Sequence, residues 1–259
     1  MMESQTYTLP ISSLESTLVF PNLAMPISVQ KPASVQAVEA ALASEHRMMA
    51  LFSTRKSGEE TSRDVDLYEY GTVATIQLIA KFDTKLQIIV HGVERISIVQ
   101  ILQKQPFLKA QVQPCPVTTL HDIETEALQR EVLEHAERYF TLAHPGKELQ
   151  FPNLLHFEEN ILQLVYPVAK LLQLELAQEQ KLLAAATDKE AMELFNAYLN
   201  HEIQVLEIRK KISDQAQEKL SAEQKKYLLR EQIKVMQQEL GEGSEENVSQ
   251  ELHKKLRET

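Results

Sequence analysis

Thr84-Lys85-Leu86-Gln87-Ile88-Ile89-Val90 is the stretch that decides the fold of the first half of this sequence. It is rich in β-branched residues and mostly apolar, which is typical of a strand in the centre of a sheet. Similar short segments, separated by residues that favour turns, predict further strands. The full predicted set is Thr6–Pro10, Ala24–Val29, Met48–Ser53, Gly71–Ala80, Lys85–His91, Ile96–Leu102 and Leu108–Gln113.

One predicted helix interrupts these strands. Ser34 is a suitable N-cap for a run in which Val35, Val38, Ala41 and Leu42 recur at helical spacing. Residues 54–66 are almost entirely polar, which predicts a surface loop. The first 118 residues are therefore predicted to form a small, mixed, β-rich domain.

The sequence changes its period after Thr119. All ten prolines lie at or before Pro167, and no glycine occurs between Gly146 and Gly241. Apolar residues now recur at the 3.6-residue period of a helix with one buried side. The predicted helices are His121–Ala143, Leu154–Tyr166, Pro167–Leu174 with proline in its first position, and Leu176–Ala185.

A very long helix is predicted next. Thr187 and Glu190 have the spacing of a capping box, in which each side chain accepts a hydrogen bond from a backbone amide at the helix start. Gly241 is the first suitable C-cap, so residues 187–240 predict one helix of about 80 Å at 1.5 Å per residue. Residues 242–247 are predicted to turn and Val248–Arg257 to begin a returning helix. Because the pattern stops in mid-course at Thr259, we expect a fragment of a longer protein.

The end of this helix has an apolar stripe. Leu229, Ile233, Met236 and Leu240 are spaced so that they share one side of a helix. The preceding part, 209–226, offers only Ile212, Ala216 and Leu220, which is too little for a buried helix. We expect that part to project into solvent or to pair with a partner helix.

The predicted fold class is α+β, with a β-rich domain followed by an α-helical bundle that ends in a very long helix. The predicted domains are 1–118 (β-rich), 119–186 (helical bundle), 187–241 (long helix) and 242–259 (linker and start of a returning helix). Residues 1–118 carry 10 basic and 11 acidic residues, a net charge of −1, and the other 141 carry 17 and 26, a net charge of −9. This asymmetry supports two halves of different character.

Composition excludes several classes of protein. A net charge of −10 disfavours general nucleic-acid binding, which depends on clustered lysine and arginine. A single cysteine, Cys115, cannot form an internal disulfide and fits a reducing compartment. No apolar run approaches the roughly 20 residues of a membrane span, and no secretory or transit signal is evident. The expected location is the cytoplasm.

No catalytic or metal-binding residue is assigned. Gly146-Lys147 lacks the upstream glycine and the following serine or threonine of a phosphate-binding loop. His201-Glu202 lacks the second histidine of a zinc-protease helix, and the eight histidines show no metal-ligand spacing. A free-standing enzyme is therefore the least favoured interpretation.

Motifs in both halves occur in the order found in one family. The first domain contains Leu9-Pro10, Val19-Phe20-Pro21 with Met25-Pro26, Gly71-Thr72-Val73-Ala74-Thr75-Ile76 and Val90-x-Gly92-x-x-Arg95. The long helix contains Tyr227-Leu228-Leu229-Arg230-Glu231-Gln232-Ile233-Lys234 and Gln238-Glu239-Leu240-Gly241-Glu242. On these motifs the chain resembles the N-terminal region of the Lon ATP-dependent proteases over essentially its whole length.

The resemblance implies a PUA-like first domain, then a helical bundle, then a neck helix that enters a homohexameric ring. It also implies that the ATP-binding motif, with ATP and Mg, and the Ser–Lys peptidase dyad of the serine protease lie beyond Thr259. No cofactor is expected in this part. Its role would be to recognise misfolded, damaged and short-lived regulatory proteins for degradation, as in the stress response and protein quality control.

Two segments are candidates for binding exposed apolar segments of unfolded polypeptides, because methionine and other apolar side chains adapt to varied partners. The first lies among turn-forming prolines and the second on the long helix. The candidate residues are Leu18, Val19, Phe20, Pro21, Leu23 and Met25, and Leu229, Ile233 and Met236. The first segment also fits a core, and the second also fits a helix–helix seam. An extended polypeptide could instead add to an exposed strand edge.

Two other functions compete with substrate recognition. The first is a helical oligomerisation scaffold, in which the Leu229–Leu240 stripe assembles copies of the chain and no substrate is bound. The second is RNA binding, since PUA-like domains elsewhere bind RNA. The near-neutral charge of residues 1–118 and the lack of a basic, aromatic cluster argue against it.

Overall fold

The strands and helices lie in two successive parts of the chain. The computed structural model describes residues 6–55, 66–82, 85–145 and 160–257. The strands are β1 Tyr7–Leu14, β2 Ala24–Val29, β3 Met48–Ser53, β4 Tyr70–Phe82, β5 Lys85–Gln103 and β6 Leu108–Pro114. The helices are α1 Pro32–Leu42, α2 Ile123–Ala143, α3 Leu162–Leu171, α4 Leu176–Ala184 and α5 Asp188–Arg257. This is the predicted α+β class, with the predicted long final helix.

The six strands form one mixed sheet in the order β2-β5-β4-β3-β1-β6. β5 pairs along one side with β4, and along the other side first with β2 and then with β6. β6 also pairs with β1, and β1 is parallel to β3. β5, β4, β3, β1 and β6 therefore close into a ring, and β2 remains outside it as an edge strand.

The predicted break within β5 is wrong. Lys85–His91 and Ile96–Leu102 were expected to be separate strands, but a single strand of 19 residues contains both. The predictions for β2 and β3 are confirmed at both ends. Gly92, which falls between the two predicted strands, lies inside β5, close to an irregularity in the β4–β5 register at Val73/Ala74.

Gly92 is needed because another part of the backbone lies against it. A Cβ atom at this position would overlap the carbonyl oxygen of Phe20 and press on the Thr72 methyl group. The Gly92 amide donates to the carbonyl of Leu23 at 2.9 Å, and its own carbonyl accepts from the amide of Asn22 at 2.9 Å. The glycine thus holds the segment between β1 and β2 against the middle of β5.

Two predicted helix boundaries in the shorter helices are wrong. α1 begins at Pro32 with Lys31 as N-cap, so Ser34 is a buried residue of the first turn and not a cap. Pro167 lies inside α3, so no helix begins there. Tyr166 and Val168 beside it are buried, and this packing outweighs the hydrogen bond that a proline removes from a helix. Of the predicted helix Leu154–Tyr166, residues 154–159 lie outside the described residues, as does most of the predicted loop at 54–66.

α5 begins as predicted but does not end at Gly241. The Glu190 amide donates to Thr187 Oγ1 at 3.1 Å, and the Glu190 carboxylate accepts from the amide of Ala186 at 2.7 Å, one residue earlier than in a standard capping box. The helix runs on through Gly241 and Gly243 to Arg257, so the predicted turn at 242–247 and the returning helix are wrong. A glycine inside a helix costs about 1 kcal/mol relative to alanine, which weakens a helix without ending it.

The chain divides into two units, residues 1–203 and residues 204–259. The predicted domain boundaries at 118 and 186 both lie inside the first unit. Leu18 and Phe20, from the β-rich half, belong to the same buried cluster as the apolar side chains of α2, α3, α4 and the start of α5. The sheet and the helices of the first unit thus share part of their core. Of the second unit, the structure describes residues 204–257, all of them in α5.

Arg95 makes the main polar connection between the sheet and the helices. It is 7% exposed and lies in β5. Its guanidinium donates to the carbonyls of Cys115 at 2.6 Å and Pro116 at 3.3 Å, just after β6, and to those of Leu183 at 2.7 Å and Ala185 at 2.5 Å, at the end of α4. A cation at the C-terminal end of a helix is also favoured by the helix dipole.

A second set of contacts between the strand-rich half and the helices involves Phe20. The Phe20 ring stacks on Tyr166 at 4.6 Å between centroids, and Lys170 Nζ lies 5.5 Å from the Phe20 centroid. Lys170 Nζ also donates to Glu179 Oε2 at 2.7 Å.

Burial lowers the pKa of Lys170 and raises the pKa of Glu179, and the ion pair opposes both shifts. Burial likewise raises the pKa of the Tyr166 hydroxyl to about 12.

We expect Gly92→Ala to destabilise the first unit by about 3 kcal/mol or more, because added atoms in a closely packed site cost about 1–3 kcal/mol and here the obstacle is backbone. The measurement is urea unfolding followed by circular dichroism. Ala24→Val adds more atoms at an exposed position of β2 and should change stability little. Equal stability of the two variants would contradict the role given to Gly92.

We expect Glu179→Gln to destabilise the chain by about 1.5–3 kcal/mol at neutral pH, because it removes a charge-assisted hydrogen bond and leaves Lys170 buried. The pKa of Lys170, already lowered, falls further in this variant. When the pKa of a lysine is lower in the folded state than in the unfolded state, the folded protein loses stability as the pH falls from the unfolded-state pKa to the folded-state pKa. The variant should therefore regain stability as the pH rises towards the ordinary pKa of lysine.

The control for this pair is the double substitution Lys170→Met with Glu179→Leu, which replaces both charges by apolar groups. It should cost less than Glu179→Gln alone. Denaturation at several pH values measures both variants. A Glu179→Gln variant with no stability gain at high pH would contradict the buried position of Lys170.

Candidate functional site

The first predicted binding segment is largely buried. Leu18 and Val19 are each 1% exposed and Phe20 is not exposed at all, so these three side chains follow the core alternative. Pro21, Leu23 and Met25 are half-buried. The reason is local: Thr72 Oγ1 donates to the Val19 carbonyl at 2.6 Å, which with the Gly92 bonds holds the segment against the sheet.

The second predicted segment is exposed. Leu229, Ile233 and Met236 are 58%, 54% and 57% exposed in α5. Tyr227, Leu228 and Val235 are exposed as well, so the apolar residues of this part of the helix cover more than one side. A binding role for Leu229, Ile233 and Met236 stays a prediction.

The structure reveals an apolar surface that the sequence analysis missed. Leu78 of β4 is 60% exposed and Ile89 of β5 is 38% exposed, and they are direct cross-strand partners. Ile89 is also the partner of Pro26 in β2, which is exposed. Because cross-strand partners point to the same face of an antiparallel sheet, these three side chains form one exposed apolar row across three strands.

Two further rows of partners flank this one. Thr75, His91 and Ala24 pair across β4, β5 and β2 on one side, and Ala80, Gln87 and Ser28 do so on the other. None of the nine residues in the three rows is aspartate, glutamate, lysine or arginine. We call this surface the β2–β5–β4 face. A sheet surface of nine residues that contains no aspartate, glutamate, lysine or arginine is suited to contact with apolar groups.

The opposite face of the same strands is core. Ile27, Ile88 and Val90 are buried there, with Leu14, Val19 and residues of α1 in the same cluster. The sequence Leu86-Gln87-Ile88-Ile89-Val90 is apolar on both sides, so its pattern alone does not distinguish the exposed Ile89 from the buried Ile88. The alternation in β2, with Ala24, Pro26 and Ser28 on one side, is the signal that could have located the exposed face.

Metal-binding clusters and membrane-spanning helices are both absent from the part of the chain that the structure describes. Among residues 6–55, 66–82, 85–145 and 160–257, no three side chains of histidine, cysteine, aspartate or glutamate come together to hold a metal ion. Within those same ranges, no helix has both the length and the apolar composition to cross a bilayer.

Residues 8–201 match the family model described as the ATP-dependent protease La (LON) substrate-binding domain. The chain belongs to this Lon family. The match covers the sheet from the second residue of β1 onward, α1 to α4 and the first part of α5, and so it includes the β2–β5–β4 face and the Arg95 connection. It confirms the family resemblance found in the sequence and gives this Lon region a substrate-recognition role.

Relatives and a solved structure agree with this assignment. The Lon protease of Nitrosococcus oceani is 37% identical over 259 residues, which is 100% of this chain and 33% of that protein. The Lon protease of Desulfovibrio desulfuricans is 30% identical over 250 residues, which is 95% of this chain and 28% of that protein. The N-terminal domain of the Lon protease of Mycobacterium avium complex has the same fold, with a TM-score of 0.54 at 19% identity over 75% of this chain and 98% of that one.

The Lon chain described by this sequence spans about a third of the length of the curated relatives it matches. This agrees with an N-terminal part of a Lon protease.

Proposed function

We propose that the β2–β5–β4 face binds exposed apolar segments of misfolded, damaged or short-lived regulatory proteins and so selects them for degradation. The observation that carries this proposal is the exposed row of Leu78, Ile89 and Pro26, which lies on a rigid sheet and has no charged neighbour within the face. Folded proteins bury such apolar segments, so a surface that binds them discriminates unfolded clients from folded ones.

The composition of this face suits clients of varied sequence. Exposed aliphatic side chains make contacts that depend on area and little on the order of side chains in the partner. A single copy should bind weakly, because an unfolded client loses conformational entropy when it is ordered. Several copies in one assembly would raise the effective concentration of binding sites and thereby the avidity.

The rest of the proposal concerns the whole protein. We propose that this region belongs to a homohexameric, ATP-dependent serine protease of the cytoplasm, whose ATP, Mg and peptidase residues lie in other modules. The family match and the relatives support an ATP-dependent protease, and the single cysteine fits a reducing compartment. The exposed apolar residues of α5 from Tyr227 to Met236 are the part of the chain that we assign to assembly.

We expect the double substitution Leu78→Ser with Ile89→Ser to weaken binding of an unfolded client by about tenfold or more. Burying each aliphatic side chain is worth about 1.5 kcal/mol or more, and 1.4 kcal/mol is a factor of ten in Kd. Fluorescence anisotropy with labelled, reduced and carboxymethylated lactalbumin, and with the native form beside it, measures the difference.

The matched control is Val99→Ser with Leu102→Ser, which removes two similarly exposed aliphatic side chains from the other end of β5. It should leave binding unchanged. Equal loss in both double variants, or equal binding of native and unfolded lactalbumin by the unaltered chain, would refute the proposed role of the β2–β5–β4 face.

A helical scaffold without substrate binding is the second candidate function, and the exposed side chains of Ile233 and Met236 favour it. We expect Ile233→Glu with Met236→Glu to reduce self-association, because charges would enter an apolar seam, and to leave client binding intact. Loss of client binding in this variant would instead support the binding role predicted for these residues. Sedimentation velocity measures assembly, with the neighbouring exposed substitution Gln232→Glu as control. Loss of assembly together with no client binding by the unaltered chain would establish the scaffold instead.

A further inference from the structure

A cavity of about 580 Å³ lies between the end of β1 and β2. Its lining consists of two continuous runs, 12–17 and 26–31, together with Ser34. Successive side chains of a strand point to opposite faces, and in β2 the exposed Pro26 and Ser28 alternate with the buried Ile27 and Val29. Because residues of both faces line the cavity, it runs along the backbone edge of β2.

That edge of β2 is open. Among the described strands, β2 pairs with β5 alone, so its other side presents backbone groups without a strand partner. An extended polypeptide can add to such an edge through main-chain hydrogen bonds. Pro26 has no N–H to donate, so the part of β2 suited to pairing is Ile27–Val29, next to the start of α1.

The start of α1 favours an anion. Lys31 is the N-cap and makes no side-chain cap hydrogen bond, and the first turn contains no acidic residue. The amides of Ala33 and Ser34 have no acceptor within the helix, and the helix dipole places partial positive charge there. Backbone amides at a helix start are a common binding site for carboxylate and phosphate groups.

Ser12 gives an independent indication of a ligand. It lines the same cavity, is 1% exposed, and its hydroxyl has no hydrogen-bond partner among the residues that the structure describes. A buried hydroxyl without a partner costs free energy, so buried polar groups usually have one. A polar ligand in the cavity would supply it.

A carboxylate already lies beside the cation of the cavity. Glu15 and Lys31 both line it, and Glu15 Oε1 is 2.8 Å from Lys31 Nζ. Their side chains are 48% and 37% exposed, so this ion pair is accessible and contributes little to stability. A ligand carboxylate could therefore replace Glu15 beside Lys31 at small cost.

We propose that this cavity captures the C-terminal carboxylate of an extended client polypeptide. The carboxylate binds at the start of α1 and beside Lys31, in place of Glu15, and the residues before it lie along the edge of β2. The cavity is within the range of about 300–1,000 Å³ found for ligand sites and is larger than an inorganic anion needs. The proposal rests on the proposed function, because that function makes polypeptides the ligands.

The test compares two forms of one peptide. A fluorescein-labelled hexapeptide of alanine, valine and leucine is titrated with the chain, once with a free C-terminal carboxylate and once as the C-terminal amide. We expect the acid to bind about tenfold more tightly, the change that 1.4 kcal/mol of charge-assisted hydrogen bonding produces. Equal affinity of the acid and the amide would overturn the proposal.

Substitutions at the ion pair sharpen this test. Lys31→Met should weaken binding of the acid, whereas Glu15→Gln should tighten it by removing the competing carboxylate, and neither should affect the amide. Lys181→Met, an exposed position of α4, is the control for loss of a positive charge. Weaker acid binding in Glu15→Gln would contradict the competition on which the proposal depends.

Two further comparisons complete the test. Inorganic phosphate, added as a competitor, tests whether the cavity binds any oxyanion. If phosphate binds as tightly as the acid peptide, the cavity is a general anion site and the proposed capture of a peptide is overturned. The Leu78→Ser with Ile89→Ser variant should keep the acid–amide difference. If the unaltered chain binds the acid and the amide equally but still prefers unfolded lactalbumin, the cavity proposal fails and the β2–β5–β4 face stands. If it prefers the acid but binds native and unfolded lactalbumin equally, the proposed role of the face fails.

Discussion

The guanidinium of Arg95 is the interaction on which the first unit of this Lon region depends. One side chain from β5 donates to carbonyls at the end of β6 and at the end of α4, and so connects the sheet to the helices. A buried arginine is tolerated only when its donors have acceptors. The backbone carbonyls supply these acceptors, so the position of α4 relative to the sheet is fixed by hydrogen-bond geometry as well as by packing.

The segment between β1 and β2 follows from the same arrangement. Gly92 lies three residues before Arg95 in β5 and lets the Phe20 carbonyl approach the strand, which brings the Phe20 ring onto Tyr166 of α3. The apolar residues of this segment thus complete the core between sheet and helices. The surface suited to clients lies on the opposite side of the strands, where Leu78 and Ile89 are exposed.

Local patterns predicted those parts of the fold that depend on neighbouring residues. The pattern of apolar and polar residues predicted the bounds of β2 and β3, and the helical period with the following Pro145 and Gly146 predicted the C-terminal end of α2. The capping residues Thr187 and Glu190 predicted the start of α5. Pro167 and Gly241 were misjudged, because each resembles a break when only its neighbours are considered, and the single strand that passes through Gly92 was predicted as two strands. Gly92 and Pro167 are accommodated by contacts from distant residues, such as the Phe20 carbonyl. The family resemblance was recognisable from motifs, whereas the exposed row of Leu78, Ile89 and Pro26 requires the register of three strands.

The closed ring of strands has a consequence for synthesis of the chain on the ribosome. β1 leaves the ribosome first, yet its partner β6 lies about 100 residues later, and pairs of such high sequence separation form slowly. Phe20 must wait longer, until Tyr166 has emerged, and Arg95 lacks its last acceptor until Ala185 has emerged. During this interval the nascent chain exposes the apolar surface and open strand edges typical of aggregation-prone species. A domain that we propose binds unfolded proteins therefore resembles such a client for part of its own synthesis.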